Sequence, residues 1–354
     1  MIVRMRIVYF SRQFNRGGLA ILDSLIESQR FDVVALVVPP IPSSQRALRR
    51  LNHPLTAWWE KLRYWLVCAL TGARRLRFED SIHQRARGVG IPVLEIPSLK
   101  DEKKWRLLKG YEPDLLVLGG GWPELLPSGV IAIAPLGAIS AHPSLLPAYR
   151  GSDVHRWQIR DGVSVSGTTI HYLDSNFDTG PILGQVEVGV LPDDTPQDLF
   201  RRISQVAGPL MLSVLDRIAR SAPERVKVAP QPDSGSESLP KWPWGNADFL
   251  TIDPRVSARE LERFVRACAQ ESFNYDGPWI RIGSQQFIVR ICEVGPRVAG
   301  GRPGMVVLCD GWPVLQCGDE AVVLRQLQKR GPAAMSFRSV SGRSLARREI
   351  RQPN

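Results

Sequence analysis

Residues 137–181, which include GAISAHPSLLPAYRG, GTTIHYL and DSNFDTGP, constrain the fold of this chain more than any other stretch. An apolar, strand-like run carries Ser140 and His142 two positions apart, and a strand of period two aims both side chains to one side. Pro143 and Pro147 then turn the chain out of any sheet, because proline has no N–H to give to a ladder. His142 is therefore expected at a strand end. A second strand-like run, 167–173, follows, and Asp178 comes just before the sharp turn Thr179-Gly180-Pro181. A histidine and a carboxylate converging at one sheet edge make a proton-transfer pair. Two other histidines read differently: His155 is expected on a solvated helix face, and His171, among apolar strand residues, as a satisfied core histidine.

The rest of the chain supplies a frame for that edge. Residues 5–10 read as a buried strand, Leu19, Leu22 and Ile26 recur at helical spacing, and residues 31–38 are apolar again, which makes a βαβ unit. Further strands at 91–96 and 114–119 extend a doubly wound α/β pattern. The first turn, SRQFNRGG, lacks the G-x-G-x-x-G of a nicotinamide dinucleotide site. With 354 residues and 44% hydrophobic content, two domains are expected. The first covers 1–220 with an insertion at 39–80, a Pro- and Ser-rich linker lies over the surface at 221–245, and a second domain covers 246–342 before a basic tail, 343–354. The second domain opens with a capping box, Ser257 with Glu260, and continues as five short strands that suggest a small β-barrel.

The insertion places Leu55, Trp58, Trp59, Leu62, Leu66 and Ala69 on one stripe of a helix. Glu60, Lys61 and Arg63 interrupt it, which argues against a membrane span; packing on the protein's own surface, a dimer or partner contact, and an interfacial lipid contact stay open. Arg4 and Arg6 break the opening apolar run, so it reads as a first strand and not as a signal peptide. Five cysteines without C-x-x-C spacing give neither a disulfide framework nor a zinc site, as in a reducing cytoplasm. A net charge of +11 suits anionic partners such as nucleic acid, a phosphorylated substrate or a polyglutamylated cofactor, and equally serves solubility alone.

The order Ser140, His142, Ser144-Leu145-Leu146-Pro147, Arg150-Gly151, the strand 167–173 and Asp178-Thr179-Gly180-Pro181 resembles the pattern of the folate-dependent formyltransferases, which include the methionyl-tRNA formyltransferases. Ser140 stands where that family has a catalytic asparagine. The resemblance implies a Rossmann-like formyltransferase domain, a C-terminal OB-like barrel, and transfer of a formyl group from 10-formyltetrahydrofolate to an amine without a metal. The acceptor it implies is initiator methionyl-tRNA or a small amine such as an amino sugar. His142, Asp178 and Ser140 take the catalytic positions in this reading. Trp122, Leu125, Leu126, Asp174 and Gly180 fall where the folate is held, and Arg12, Asn15, Ser144 and Arg150 near the acceptor. Arg46, Arg49 and Arg50 fall in a region that grips the acceptor arm in the tRNA enzymes. Two other classes compete: a catalytically silent folate- or RNA-binding paralogue, and a hydrolase or another one-carbon enzyme in which water replaces the amine.

Overall fold

The computed structural model describes residues 4–12, 15–40, 81–232, 238–243, 246–269, 277–329 and 340–341. The tryptophan stripe, Arg46, Arg49, Arg50 and the basic tail lie outside the described residues. Strands β1 (Arg6–Phe10), β2 (Asp32–Val38), β3 (Val93–Glu95), β4 (Leu115–Leu118), β5 (Ala138–His142), β6 (Val165–Tyr172) and β7 (Ile182–Gly189) form one sheet in the order β3-β2-β1-β4-β5-β6-β7. β1 to β5 pair in parallel, and β6 runs antiparallel to β5.

Helices lie along both faces because the central strands are apolar on both. Ile7 and Tyr9 of β1, Leu115 and Val117 of β4, and Ile139 and Ala141 of β5 enter one core, which α1 (Arg16–Ser28), α2 (Ile82–Gly88) and α6 (Pro196–Ser221) close. Val8, Phe10, Leu116, Leu118 and Ala138 enter the other, closed by α3 (Glu102–Trp105), the 3-10 turn Arg106–Tyr111 and α4 (Ser128–Ile131). Ile21, Leu22 and Leu25 of α1 are buried, each contributing about 1.5–3 kcal/mol of transfer free energy. α1 begins at Asn15, whose Oδ1 accepts from the Gly18 amide at 2.8 Å and satisfies one orphan donor of the first turn. This is a mixed, mostly parallel α/β sheet of Rossmann-like type.

The chain divides into two compact units, one of residues 1–150, 167–188 and 201–237, the other of 151–166, 189–200 and 238–354. The second contains α5 (Val154–Asp161), α7 (Ala247–Leu250), α8 (Ala258–Ala267) and an antiparallel sheet of β8 (Trp279–Ile282), β9 (Gln285–Gly295), β10 (Val306–Cys309), β11 (Trp312–Gln316) and β12 (Ala321–Lys329), with β13 (Val340–Ser341) on β12. Ser257 and Glu260 make the capping box that the sequence spells out. Leu261 and Val265 of α8 pack on Phe287, Val289, Leu315 and Leu324 of the sheet.

One expectation is corrected here. Trp242, in the Pro-rich stretch read as lying over the surface, is among the largest fully buried side chains, its ring tilted at 4.7 Å from that of Trp157 and edge-on at 5.2 Å from that of Phe249. Burial of one large indole outweighs the polar composition around it.

Candidate active site

Alternation along β5 sends Ile139 and Ala141 into one core and leaves Ser140 and His142 on the opposite face, as the two-residue spacing requires. β6 alternates the same way: Ile170 and Tyr172 enter the core, so Thr169 and His171 share the face of Ser140 and His142. The antiparallel register sets Ser140 opposite His171 and His142 opposite Thr169. Asp178 enters from the turn after β6 and stands between the imidazoles, its Oδ2 3.5 Å from His142 Nδ1 and its Oδ1 3.6 Å from His171 Nε2. Its backbone sits at φ 57°, in the left-handed region that aspartate visits more readily than most residues. His171 is thus part of the cluster and not an ordinary core histidine, which corrects the sequence expectation.

Main-chain carbonyls fix both tautomers. Tyr149 O lies 2.7 Å from His142 Nε2 and Tyr172 O 2.7 Å from His171 Nδ1; a carbonyl only accepts, so the hydrogens sit on those nitrogens. In the neutral rings the other nitrogens turn lone pairs toward Asp178, and an added proton changes that repulsion into charge-assisted contact. Burial pushes the His142 pKa down from the ordinary histidine value, and neighbouring His171 adds to that, while Asp178 and the Tyr149 carbonyl pull it up. Burial wins, so His142 rests as the neutral base. Side-chain exposures of 6% for His142, 15% for Asp178 and 0% for His171 make the carboxylate the most accessible member. Ser140 is 8% exposed, and its hydroxyl makes no hydrogen bond among the described residues.

The loop 143–149 that carries the Tyr149 carbonyl is pinned from inside. Ser144 Oγ donates to Ala148 O at 2.8 Å and to Tyr149 O at 3.2 Å, while Thr169 Oγ1 donates to Ser144 O and accepts from Leu146 N and Gln185 Nε2. Ser144 is fully buried and shapes the loop. Arg150 directs its guanidinium to Gln231 Oε1. Asp174 accepts from Asn176 N and Thr179 Oγ1, bracing the turn that carries Asp178. At Gly180 a Cβ would stand 1.9 Å from Tyr172 O, so only glycine lets the turn close this tightly.

A second group gathers where the strand order reverses, between β1 and β4, the place at which open α/β sheets form a crevice beyond the strand ends. Gly120 and Gly121 follow β4 at φ 101° and 73°, and a Cβ on Gly121 would meet Asn15 Nδ2 at 2.5 Å and Arg12 Cδ at 3.4 Å. Arg12 and Asn15 therefore lie against this loop. Trp122 packs edge-on against Phe10 at 5.4 Å, and its buried indole N–H has no partner among the described residues. Leu126 is buried in the core beside it, and Leu125 is half-buried. His155 lies in the other unit, 5.4 Å from Phe200.

Comparison with known proteins agrees with this arrangement. Over residues 5–215 the chain matches the family model described as "Formyl transferase". It is 29% identical to the methionyl-tRNA formyltransferase of Parvibaculum lavamentivorans, across 73% of this chain and 80% of that protein. It is 32% identical to that of Chloroflexus aggregans, across 70% and 77%. In fold it resembles HypX from Aquifex aeolicus, solved in complex with tetrahydrofolic acid, with a TM-score of 0.56 at 15% identity over 97% of this chain and 47% of that one. With more than half of its length matched and the motif residues brought to one sheet edge, the chain belongs to the formyl transferase family.

Proposed function

We propose that this protein transfers a formyl group from 10-formyltetrahydrofolate to the amine of initiator methionyl-tRNA, in the cytoplasm. The observation that carries the reading is the Asp178 carboxylate held between His142 Nδ1 and His171 Nε2 beside the hydroxyl of Ser140. Attack of a neutral amine on the formyl carbon gives a tetrahedral oxyanion and an ammonium that must lose a proton. Asp178, the most accessible of the three, takes that proton and shares it with His142 Nδ1, where the imidazolium is paired with the carboxylate. The same proton then passes to the folate nitrogen as its bond to the formyl carbon breaks. The products are the formamide and tetrahydrofolate. Ser140 Oγ–H is the donor available on this face for the oxyanion, in the place of an asparagine amide.

The bare backbone of Gly120 and Gly121 at the sheet's reversal point, with Leu126 and Trp122 behind it, supports folate binding there, since a flat heterocycle needs exposed main-chain groups against an apolar wall. The relatives named methionyl-tRNA formyltransferase support the tRNA acceptor, as does the charge of +11. So do Arg281, Arg297 and Arg302, exposed on the second unit, whose antiparallel sheet we read as an OB-like barrel. Ser140 in place of the amide favours one other acceptor class, a small amine such as an amino sugar. The test is incubation of the full chain with 10-formyltetrahydrofolate and either charged initiator tRNA or a panel of small amines, with product mass as readout. Formylation of methionyl-tRNA is the expected result. Release of tetrahydrofolate no faster than without protein, with every acceptor, would overturn the reading.

A further inference from the structure

Gln231 follows the stretch in which Val226 and Val228 pack against the core, well past the end of α6 at Ser221. Its side-chain Nε2 donates to Asp178 O at 2.9 Å and to Gly180 O at 2.7 Å. Its Oε1 accepts from Arg150 Nη2 at 2.8 Å and from Arg150 Nε at 3.3 Å. The partners fix which end of the amide is which, because two carbonyls only accept and a guanidinium only donates. One side chain thus ties the loop after β5 to the turn after β6, and the tie falls on both sides of Thr179. That turn has little latitude of its own: Asp178 is left-handed, and at Gly180 Tyr172 O leaves no room for a Cβ.

We propose that Gln231 is a positioning residue for formyl transfer, its amide locking the backbone of residues 178–180 so that the Asp178 carboxylate stays between His142 and His171, with Arg150 holding the amide. The inference rests on the function proposed above. Gln231 touches no reacting atom; it acts through Asp178, and its loss lets the carboxylate drift from both imidazoles. Displacement of a catalytic group by about 1 Å costs up to roughly 100-fold in rate.

The experiment uses the full chain as Gln231→Ala, Gln231→Glu, Asp178→Asn and the double variant Gln231→Ala/Asp178→Asn. Two readouts are taken, formyl-transfer kinetics and the NMR titration of the His142 ring protons. Gln231→Ala is expected to lower kcat by about 10- to 100-fold while KM for 10-formyltetrahydrofolate stays within about threefold. On the Asp178→Asn background the same change should add less than about twofold, because the two residues act as one unit. The His142 titration should move to lower pH as the carboxylate that raises it withdraws. Gln231→Glu keeps the volume and the pairing to Arg150 but turns a carboxylate toward two carbonyls, so it should behave like the alanine variant. A residue that only fills space would be restored by glutamate. An unchanged kcat in Gln231→Ala, an undiminished loss on the Asp178→Asn background, or an unmoved His142 titration would each overturn the proposal. Should the parent protein transfer no formyl group, the function fails first, and the His142 titration still decides whether Gln231 sets the place of Asp178.

Discussion

Replacing Asp178 by asparagine removes a charge while keeping shape and backbone, because asparagine also tolerates the left-handed conformation that φ 57° requires. In the parent the carboxylate lies 3.5 Å from His142 Nδ1. At an effective dielectric of about 20, a full proton on that nitrogen interacts with the carboxylate by about 5 kcal/mol. At about 1.4 kcal/mol per decade that is an upper limit of roughly 3000-fold in rate. Side-chain exposure of 15% lets solvent recover part of the lost interaction. The expected fall in kcat is therefore about 100- to 1000-fold, inside the range of general acid–base groups. Folate affinity should change little, since the lost interaction belongs to the proton in flight and not to the bound donor. Steady-state kinetics with 10-formyltetrahydrofolate and the acceptor, beside a titration of folate binding, separate the two effects. If kcat stays within about twofold of the parent, Asp178 is a turn residue and the electrostatic argument is wrong; a rise in KM alone would assign it to binding.

His142→Ala should abolish measurable transfer and leave folate binding nearly intact, checked by the same pair of assays; an unchanged rate would remove His142 from the chemistry. Ser140→Asn, which restores an amide on the face that residue 140 shares with His171, should raise kcat by about 10-fold or more, in keeping with the size of an oxyanion donor; a fall in both rate and folate affinity would show a pocket rebuilt around serine. Because burial lowers the folded-state pKa of His142, the unfolded chain binds its proton first, near the ordinary histidine value of about 6.5, so the stability contribution is complete above that pH and is lost as pH falls toward the folded value. Denaturant midpoints measured downward from neutral pH should therefore show a slope that His142→Gln reduces, and equal slopes would refute that sign.

Much of the frame was legible because it depends on short-range periodicity. Ser140 and His142 share a face because strands have period two, and Ser257 with Glu260 caps α8 because that motif is complete within four residues. His171 was misread for the opposite reason. Its neighbours Ile170 and Tyr172 are core residues, and only the register of β6 against β5 shows that the alternate positions face the catalytic pair. The signal was present in the alternation of Thr169 and His171 with Ile170 and Tyr172, but it has meaning only once those two strands are neighbours. Trp242 and Gln231 lie in the stretch read as linker from its prolines and serines, and Trp157, Asp153, Asp178 and Arg150, which hold them, are tens of residues away in sequence. Composition reports how a segment behaves alone; it carries nothing about an indole or an amide that a distant surface accepts.

Backbone, more than side chains, sets the protonation pattern of this site. Both imidazoles give their far N–H to main-chain carbonyls, one on the loop after β5 and one on β6 itself, so each ring's tautomer follows from where those peptides lie. The Tyr149 peptide is in turn held by Ser144, by Thr169 and Gln185 through Leu146, and by the left-handed conformation of Tyr149 at φ 58°. A change at the buried Ser144 or Thr169 would rotate a carbonyl, free an imidazole N–H, and allow His142 to turn Nε2 rather than Nδ1 toward the carboxylate. The proton would then be held on the wrong nitrogen for relay through Asp178, although every residue named in the motif remained in place. The sequence pattern S-L-L-P is therefore part of the chemistry: its serine hydroxyl orients the peptide that orients the base.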